Sequence, residues 1–435
     1  MNTYFRPACV AAKLASLIFL TSVAAHPAAY DITDLGTLGG TNSYPAAINA
    51  SGKVVGNANT SGGDIHPVLF SGTGSGNKDL GTLGGTTGYA YGINASGQIV
   101  GDSTGVDGIF RATLFSGTGT GNKDLGTLGG TSSIAFGIND SAQIVGYAST
   151  ASDFHATLFS GTGTGNTDLG TLGGATSYAY AINNAGKIVG KAYTTGGASL
   201  HATAFSGTGS GNKDLGTLTG PYSTALAINR TGTIAGDGTI SGGAYHVIQF
   251  SGTGSGNSDL GSLGGFDCYG RAINGAGQIV GSSQTAEGSA YHGFLKTPGK
   301  AMVDLNTLID PASGWVVTDA AGINASGQIA ATGTKAGKTH ALLLSPHLAA
   351  PTVKITGKKT VETDKSVLLI KGTTTGKATS VSYRIGEKGS FKAAKGTPAK
   401  WKFNAALKPG KNVIYVLAKG PGGQSKLAKV TVTRK

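Results

Sequence analysis

The sequence contains few cysteines, few charged residues and no long apolar run. Two cysteines occur among 435 residues, and Cys9 lies in a leader-like N-terminal segment. Only Cys268 then remains, which excludes an internal disulfide framework. Charged residues account for 13% of the chain. The apolar run of residues 14–25 is about twelve residues long, too short to span a bilayer, so we expect no transmembrane segment.

That apolar run has the features of a signal peptide. Arg6 and Lys13 precede it, and Val23 and Ala25 supply small side chains at the spacing that a signal peptidase requires. The sequence therefore predicts a signal peptide over residues 1–25. The protein is expected to be secreted, to the extracellular space or the cell surface, with the periplasm as the other compartment that export allows.

Glycine is abundant, at 75 residues, and it accompanies an internal repeat. An Asp-Leu-Gly motif or a near match begins at Asp34, Asp79, Asp124, Asp168, Asp214, Asp259 and Asp304. An Ile-Asn pair ends at Asn49, Asn94, Asn139, Asn183, Asn229, Asn274 and Asn324. The period is about 45 residues, and a period of this length is typical of propellers and solenoids.

Each repeat has four short apolar runs bounded by Gly, Asn, Ser or Asp, as expected of four strands. Neighbouring sheets must stack to bury their faces, in a closed ring or an open solenoid. The first copy begins at its fourth strand and the last copy stops after its third, so together they complete one sheet. The sequence predicts an all-β fold, with a seven-bladed β-propeller over residues 29–345 closed by its N-terminal strand.

The repeated motifs resemble those of the bacterial extracellular HAF repeat family. They include His-Gly-Phe-Leu at His292, Asp-Leu-Gly-Thr-Leu-Gly-Gly at Asp79 and Ala-x-x-Ile-Asn-x-x-Gly-x-Ile-Val-Gly at Ala90. Most copies depart from the motif that names the family, as in His-Ala-Thr-Leu-Phe at His155 and Arg-Ala-Thr-Leu-Phe at Arg111. The resemblance implies export and a repeat architecture, and it implies no particular reaction.

The composition changes after Pro346. Residues 351–435 contain 17 Lys and 2 Arg against three acids, a net charge of +16, while the whole chain carries +13 and the remainder therefore −3. Alternating runs such as NVIYVLAKG predict a seven-stranded sandwich of immunoglobulin type, and this stretch resembles bacterial Ig-like modules. A Lys-rich surface suits diffuse attraction to an anionic polymer and not sequence-specific recognition of nucleic acid. The alternative is that the lysines only keep the module soluble.

Two recurring features first suggest metal sites. Histidine recurs at one repeat position, as His66, His155, His201, His246, His292 and His340. Equivalent positions in different blades lie apart, whereas a zinc ion needs its ligands about 2 Å from one point. The Gly-rich loops such as residues 72–77 offer one Asp each, and calcium needs several carboxylates. We therefore expect structural roles, with no metal and no cofactor.

The loops that vary most between copies should share one face of the ring, and aromatic residues gather there. Aromatic rings beside a few polar groups suit sugar rings or an extended peptide; the alternative is that they pack between blades. The candidate ligand-binding residues are Tyr44, Tyr89, Tyr91, Tyr178, Tyr180, Asp267, Tyr269, Arg271 and Trp315.

Two functional hypotheses follow from the sequence. The first is a secreted, monomeric, non-enzymatic binding or surface-structural protein that recognises an envelope or extracellular polysaccharide or another surface protein. The second is a propeller-type glycan hydrolase or lyase. The enzyme requires two acids that converge, with Asp267 and Glu287 as candidates, whereas no pair of acids has a spacing that enforces contact. We therefore assign no catalytic residue.

Overall fold

The computed structural model describes residues 28–435 and is built almost entirely from β-strands. The predicted signal peptide lies outside the described residues. Two single-turn 3₁₀ helices, Leu305–Thr307 and Pro311–Ser313, interrupt the strands. Within residues 28–435 no helix has the length and apolar character needed to cross a membrane. The predicted all-β class is confirmed.

Residues 30–346 form four-stranded antiparallel groups that follow the 45-residue period. Five of these groups are separate sheets. Two more share an eight-stranded sheet, in which a single parallel bridge between Ile65 and Thr87 joins one group to the next. We number the groups repeats 1 to 7, and their strands first to fourth, by the position of the first strand in the chain.

The strands of the repeats have the following bounds. Repeat 1 contains Gly39–Ile48, Val54–Thr60, Ile65–Phe70 and Lys78–Asp79, and repeat 2 contains Gly84–Ile93, Ile99–Gly105, Phe110–Phe115 and Lys123–Asp124. Repeat 3 contains Ser133–Ile138, Ile144–Ser149, Phe154–Phe159 and Thr167–Asp168, and repeat 4 contains Gly173–Ile182, Ile188–Thr194, Leu200–Phe205 and Lys213–Asp214. Repeat 5 contains Ser223–Ile228, Ile234–Thr239, Tyr245–Phe250 and Ser258–Asp259. Repeat 6 contains Gly264–Ile273, Ile279–Thr285, Gly288–Lys296 and Met302–Asp304. Repeat 7 contains Val316–Ile323, Ile329–Lys335 and Lys338–Pro346, and the N-terminal strand Tyr30–Asp34 pairs with the last of these as its fourth strand.

The turn between the first and second strands depends on the recurring asparagine. In repeat 1, Asn49 Oδ1 accepts hydrogen bonds from the backbone N–H groups of Ser51 at 3.1 Å and Lys53 at 3.0 Å. Gly52 then adopts a φ of 83°, which glycine tolerates without a steric cost. This is the turn chemistry that the Asn-x-x-Gly pattern predicts.

The same asparagines link the repeats into a cycle. Asn49 Nδ2 donates to the backbone oxygen of Asn94 at 3.1 Å, and the pattern continues through every repeat. Asn324 Nδ2 donates in turn to the backbone oxygen of Asn49 at 3.2 Å. We call this cycle the Asn ring. Because each member directly follows a first strand, the first strands surround a common axis.

The core is shared between repeats and not contained within them. One cluster joins Val55 of repeat 1 to Leu80, Ala90 and Ile99, and the next joins Val100 of repeat 2 to residues of repeat 3. A single repeat therefore leaves one face without a partner, as expected for a stacked repeat architecture.

Residues 352–434 form two further sheets. The first contains Thr352–Ile355, Val367–Thr375, Lys400–Ala406 and Lys395–Thr397. The second contains Thr360–Thr363, Ala428–Arg434, Gly410–Gly420, Ser380–Ile385 and Lys392–Ala393, with Gly423–Gln424 beside Gly410–Gly420. Side chains of both sheets, including Trp401, Phe403 and Val416, share one buried cluster.

Candidate functional site

Six aromatic side chains of repeats 2 to 4 form a continuous series, which we call the aromatic arc. It consists of Tyr89, Tyr91, Phe136, Tyr147, Tyr178 and Tyr180. Ring centroids of Tyr91 and Phe136 lie 5.2 Å apart, as do those of Phe136 and Tyr180. All six side chains are partly exposed. The arc therefore presents apolar ring surface to solvent across three neighbouring repeats.

The backbone of the first strand explains why these rings gather. Tyr89 and Tyr91 are two residues apart, so their rings lie on one side of the strand and stack at 6.1 Å. A β-bulge between Ala90 and Gly92 shifts the register after them. Gly101, in the neighbouring strand, permits this close approach, because a Cβ there would collide with the Tyr89 carbonyl oxygen.

A second-strand position that pairs with the first tyrosine carries different chemistry in each repeat. Asp102 pairs with Tyr89 in repeat 2, and Asp237 pairs with Thr224 in repeat 5. The equivalent residues of the other repeats are Asn57, Tyr147, Lys191, Ser282 and Thr332. We call this set the variable second-strand position. The residue type at this position differs between repeats, so the position breaks the internal symmetry of the repeat region. A functional site confined to a few repeats would break the symmetry in the same way.

Two members of this position are buried carboxyls. Asp102 is 2% exposed and Asp237 is 6% exposed. Burial raises the pKa of Asp102 to about 7, although the Tyr91 hydroxyl beside it favours the ionised form. Burial also raises the pKa of Asp237 to about 7, opposed by the charges of Arg271 and Lys191. Both groups therefore titrate near neutral pH, where a general acid or a charge-dependent binding group would operate.

Charged side chains continue around the ring from repeat 4, where the arc ends, to repeat 7. Lys191 Nζ lies 5.4 Å from the ring centroid of Tyr178 and 5.6 Å from that of Tyr180, and burial lowers its pKa. Arg271 Nε lies 3.7 Å from Asp319 Oδ1. From repeat 4 to repeat 7, positive and negative side chains thus alternate around the axis.

The structure brings four of the sequence-predicted site residues together, namely Tyr89, Tyr91, Tyr178 and Tyr180. Tyr269 lies in a separate group with Tyr245 and Tyr291, at centroid distances of 5.4 and 6.1 Å. The guanidinium carbon of Arg271 lies 5.9 Å from the Tyr269 ring.

The remaining predicted residues lie apart from the arc. Tyr44 is 42% exposed on the first strand of repeat 1. Asp267 Oδ1 accepts a hydrogen bond from the Tyr245 backbone N–H at 3.0 Å, so it holds a strand edge. Trp315 packs 5.9 Å from His340 and against the core of repeat 7.

Sequence reasoning missed Phe136, Tyr147, Asp102, Lys191 and Asp237 as site residues. Phe136 occupies the same repeat position as Tyr91 and Tyr180, so an alignment of the repeats contained that signal. The other four share the variable second-strand position, whose importance depends on the strand register. Its members differ in chemical type, which conceals the position from a search for recurring residues.

The recurring histidines make hydrogen bonds within the repeat architecture. In six repeats the histidine Nδ1 donates to the Asp of the Asp-Leu-Gly motif at 2.6–2.9 Å. In repeat 2, Arg111 replaces histidine and its Nε lies 3.6 Å from Asp124. Each pair holds the fourth strand to the third. This agrees with the expected structural role.

The Gly-rich loops also connect neighbouring repeats. Asn77 Nδ2 donates to the backbone oxygens of Leu35 at 2.6 Å and Thr37 at 3.1 Å, and equivalent asparagines repeat this contact. Each loop therefore connects its own repeat to the segment that follows the fourth strand of the preceding repeat.

A depression of about 560 Å³ opens at the Asn ring. It is lined by Ile182, Ile228 and Ile273 with Arg230 and Asn184 at its edge. The ring asparagines themselves are buried and use their amide groups within the ring and its turns. Asn49, Asn94 and Asn324, which match a glycosylation sequon, are among them.

One face of the first C-terminal sheet is strongly basic. Lys371 pairs directly with Lys402, which also pairs with Lys395. Lys354 and Lys400 both pair with Thr373. All five lysines are exposed and lie on the face opposite buried Trp401. We call them the lysine face, and its four strands contain no acidic residue.

No protein-family model and no curated protein matches the chain. Among solved structures, the chain is similar to TolB from Acinetobacter baumannii, with 14% identity and a TM-score of 0.41 over 60% of this chain and 63% of that one. It is also similar to the extracellular domain of the hybrid two component system BT4673 from B. thetaiotaomicron, with 10% identity and a TM-score of 0.39 over 94% of this chain and 60% of that one. The chain thus spans about three fifths of the length of these two structures. Similarities this weak indicate no function.

Proposed function

We propose that this chain is an exported, non-enzymatic binding protein whose repeats form a seven-bladed β-propeller and whose C-terminal region is an Ig-like sandwich. The cyclic Asn ring and the four-stranded repeats support the propeller. The two-sheet arrangement of residues 352–434 supports the sandwich. The repeat motifs resemble the HAF family of extracellular proteins. The signal-peptide pattern favours the cell surface or extracellular space, with the periplasm as the alternative.

The aromatic arc is the observation that carries the binding role. Aromatic rings on neighbouring rigid strands offer flat apolar surface at little entropic cost, and the hydroxyl groups of the tyrosines add hydrogen-bonding capacity. This combination suits the face of a sugar ring. We propose that the arc binds an envelope or extracellular polysaccharide, with another surface protein as the second kind of partner that it suits.

The lysine face supports a second, attaching role for the C-terminal region. Like charges directly opposite each other on a sheet destabilise it, and the face places Lys371, Lys402 and Lys395 side by side. An anionic polymer would neutralise this repulsion while releasing its counterions. We propose that this face holds the protein on such a polymer through charge alone, without sequence-specific recognition of nucleic acid.

A binding experiment separates the two roles. The protein without residues 1–25 is tested against neutral and anionic polysaccharides at 50 and 500 mM salt. We expect binding of a neutral glycan to persist at high salt and to weaken at least tenfold in a Tyr91→Ala, Tyr180→Ala variant. Binding of an anionic polymer should fall steeply with salt, and further in a Lys371→Gln, Lys400→Gln, Lys402→Gln variant.

Matched controls make the result decisive. A Lys411→Gln, Lys419→Gln, Lys429→Gln variant removes the same charge from the other C-terminal sheet and should retain more anionic binding. If both lysine variants lose binding equally, the lysine face has no special role. If no glycan binds through the arc, the proposed propeller function is wrong.

The buried carboxyls favour the alternative of a glycan hydrolase or lyase. Asp102 and Asp237 both have a pKa of about 7, which suits a general acid at neutral pH. However, they lie on repeats 2 and 5 in different surroundings, and Asp267 is engaged with the backbone. New reducing ends or unsaturated products released from the same glycans, and lost in Asp102→Asn, would establish the enzyme instead.

A further inference from the structure

Asp102 is a buried carboxylate with no cation of its own. Its side chain is 2% exposed, and Oδ1 has no hydrogen-bond partner within the described residues. No Lys, Arg or His between residues 28 and 435 makes an ion pair with it. A carboxylate buried in this way costs free energy unless another group compensates its charge.

The equivalent carboxyl in repeat 5 shows what such compensation looks like. Asp237 occupies the same register position, opposite Thr224, and is similarly buried. The positive charges of Arg271 and Lys191 both favour its ionised form. Asp102 of repeat 2 is thus the counterpart of Asp237, but no positively charged side chain of residues 28–435 pairs with it.

Aromatic side chains surround Asp102 where repeat 5 has positive charges near Asp237. Tyr89 pairs directly with Asp102, and its ring lies 6.1 Å from those of Tyr91 and Phe110. The hydroxyl of Tyr91 lies beside the carboxyl. Burial raises the pKa of Tyr89 and Tyr147, and the negative charge of Asp102 raises both further. All three tyrosines are therefore neutral at physiological pH. Tyrosine faces attract cations, and a nearby anion strengthens that attraction.

We propose that Tyr89, Tyr91 and Asp102 form a binding site for an organic ammonium group carried by the ligand of the aromatic arc. This proposal rests on the proposed binding function and names the chemical class that the arc selects. The rings hold the alkyl part of the ligand, and the carboxylate balances the charge. Two sources supply such a group, namely the free amine of an amino sugar and a quaternary ammonium such as a choline headgroup.

Matched pairs of small molecules test the charge requirement. Choline is compared with its neutral isostere 3,3-dimethylbutan-1-ol, and glucosamine with N-acetylglucosamine, by calorimetry on the purified protein. We expect at least one cation to bind about tenfold or more tightly than its neutral counterpart. Preference for choline or for glucosamine identifies the source. Equal binding of the members of both pairs, or no binding of either cation, overturns the proposal.

The protein side of the site is tested by Asp102→Asn, which keeps the shape and removes the charge. We expect about a tenfold or greater loss of affinity for the preferred cation. Asp64→Asn is the charge control, because Asp64 is exposed in a turn of repeat 1 and its side chain makes no hydrogen bond to any residue from 28 to 435. Tyr91→Ala should also weaken binding, while unchanged affinity in Asp102→Asn contradicts the proposal.

Choline keeps its positive charge at every pH. A change of its binding affinity with pH therefore arises from a group of the protein. With a pKa of about 7, Asp102 is ionised at pH 8 and mostly protonated at pH 6. The affinity for choline, if it is the preferred cation, should therefore fall about tenfold between these values. Asp102→Asn should abolish this dependence. If polysaccharides bind the wild type and Asp102→Asn alike, the ammonium site is wrong while the binding function stands.

Discussion

At the scale of single residues, one register position shows how the repeat frame is used for different chemistry. Asn57, Asp102, Tyr147, Lys191 and Asp237 all occupy the variable second-strand position in successive repeats. The backbone around them is constant, since each pairs with a first strand that ends in the Asn ring. Substitution here changes the charge and polarity of the candidate site without changing the scaffold.

The buried carboxyls at this position should make stability depend on pH. A folded-state pKa of about 7 lies above the ordinary 3.8, so the folded protein binds protons that the unfolded chain releases. The contribution of one such carboxyl to stability is therefore greatest at low pH and falls as pH rises from about 4 to 7, by up to about 4 kcal/mol. Asp102→Asn should stabilise the protein at pH 8 and have less effect at pH 5, as measured by urea unfolding.

Asp237→Asn provides the matched comparison for this prediction. Removal of the Asp237 charge also removes its attraction to Lys191 and Arg271, so the gain at pH 8 should be smaller than for Asp102→Asn. A difference between Asp102→Asn and wild type that is the same at pH 5 and pH 8 would show that the Asp102 pKa is not raised.

At the scale of strands and turns, each side chain of the Asn ring both closes a turn within its repeat and bonds to the next repeat. In repeat 3, Asn139 Oδ1 accepts from the backbone N–H of Gln143 at 2.9 Å and so closes the turn. Its Nδ2 donates to the backbone oxygen of Asn183 at 3.1 Å and so reaches the next repeat. Ala142 takes a φ of 60° in this turn, where other repeats use glycine. The asparagine bonds thus maintain the turn even without its preferred glycine.

We expect Asn139→Ala to destabilise the protein by about 2–4 kcal/mol. Asn139 is 3% exposed, and its loss leaves buried backbone groups on two repeats without partners. Urea unfolding measures the change. Asp64→Ala, in an exposed turn, is the control and should lie within about 0.5 kcal/mol of wild type. A similar small effect of Asn139→Ala would mean that the ring does not bear on stability.

The strands and turns of the repeat region could be predicted from the sequence where they recur in every repeat. The four strands per repeat and the Asn-x-x-Gly turn follow from the period of about 45 residues. The grouping of Tyr89, Tyr91, Tyr178 and Tyr180 followed from their repeat position. Asp102 and Lys191 did not, because their proximity to the rings depends on cross-strand register and on a β-bulge at Ala90 and Gly92. A bulge shifts the pairing by one residue, and no local residue pattern signals it here.

At the scale of the whole molecule, the two ends of the repeat region meet in one sheet. Tyr30–Asp34 pairs with Lys338–Pro346, and Asp34 accepts a hydrogen bond from His340 at 2.9 Å. Leu35, which follows the strand, is completely buried in a cluster that joins repeats 7 and 1. The closure therefore joins residues about 300 positions apart. It covers a strand edge that would otherwise be free to pair with another chain.

Removal of this closing strand should destabilise the whole ring. We expect a chain that begins at residue 37 to unfold about 10 °C below one that begins at residue 28, since it loses the burial of Tyr30 and Leu35 as well as one strand ladder. The uncovered edge of Lys338–Pro346 should also promote association, which light scattering detects. A peptide of residues 28–38, added in excess, should restore the unfolding temperature by occupying the edge. A peptide with Leu35→Asp should fail to do so, because its carboxylate would be buried in the cluster that Leu35 fills. If the shortened chain is as stable as the longer one, the ring does not depend on its N-terminal strand for closure.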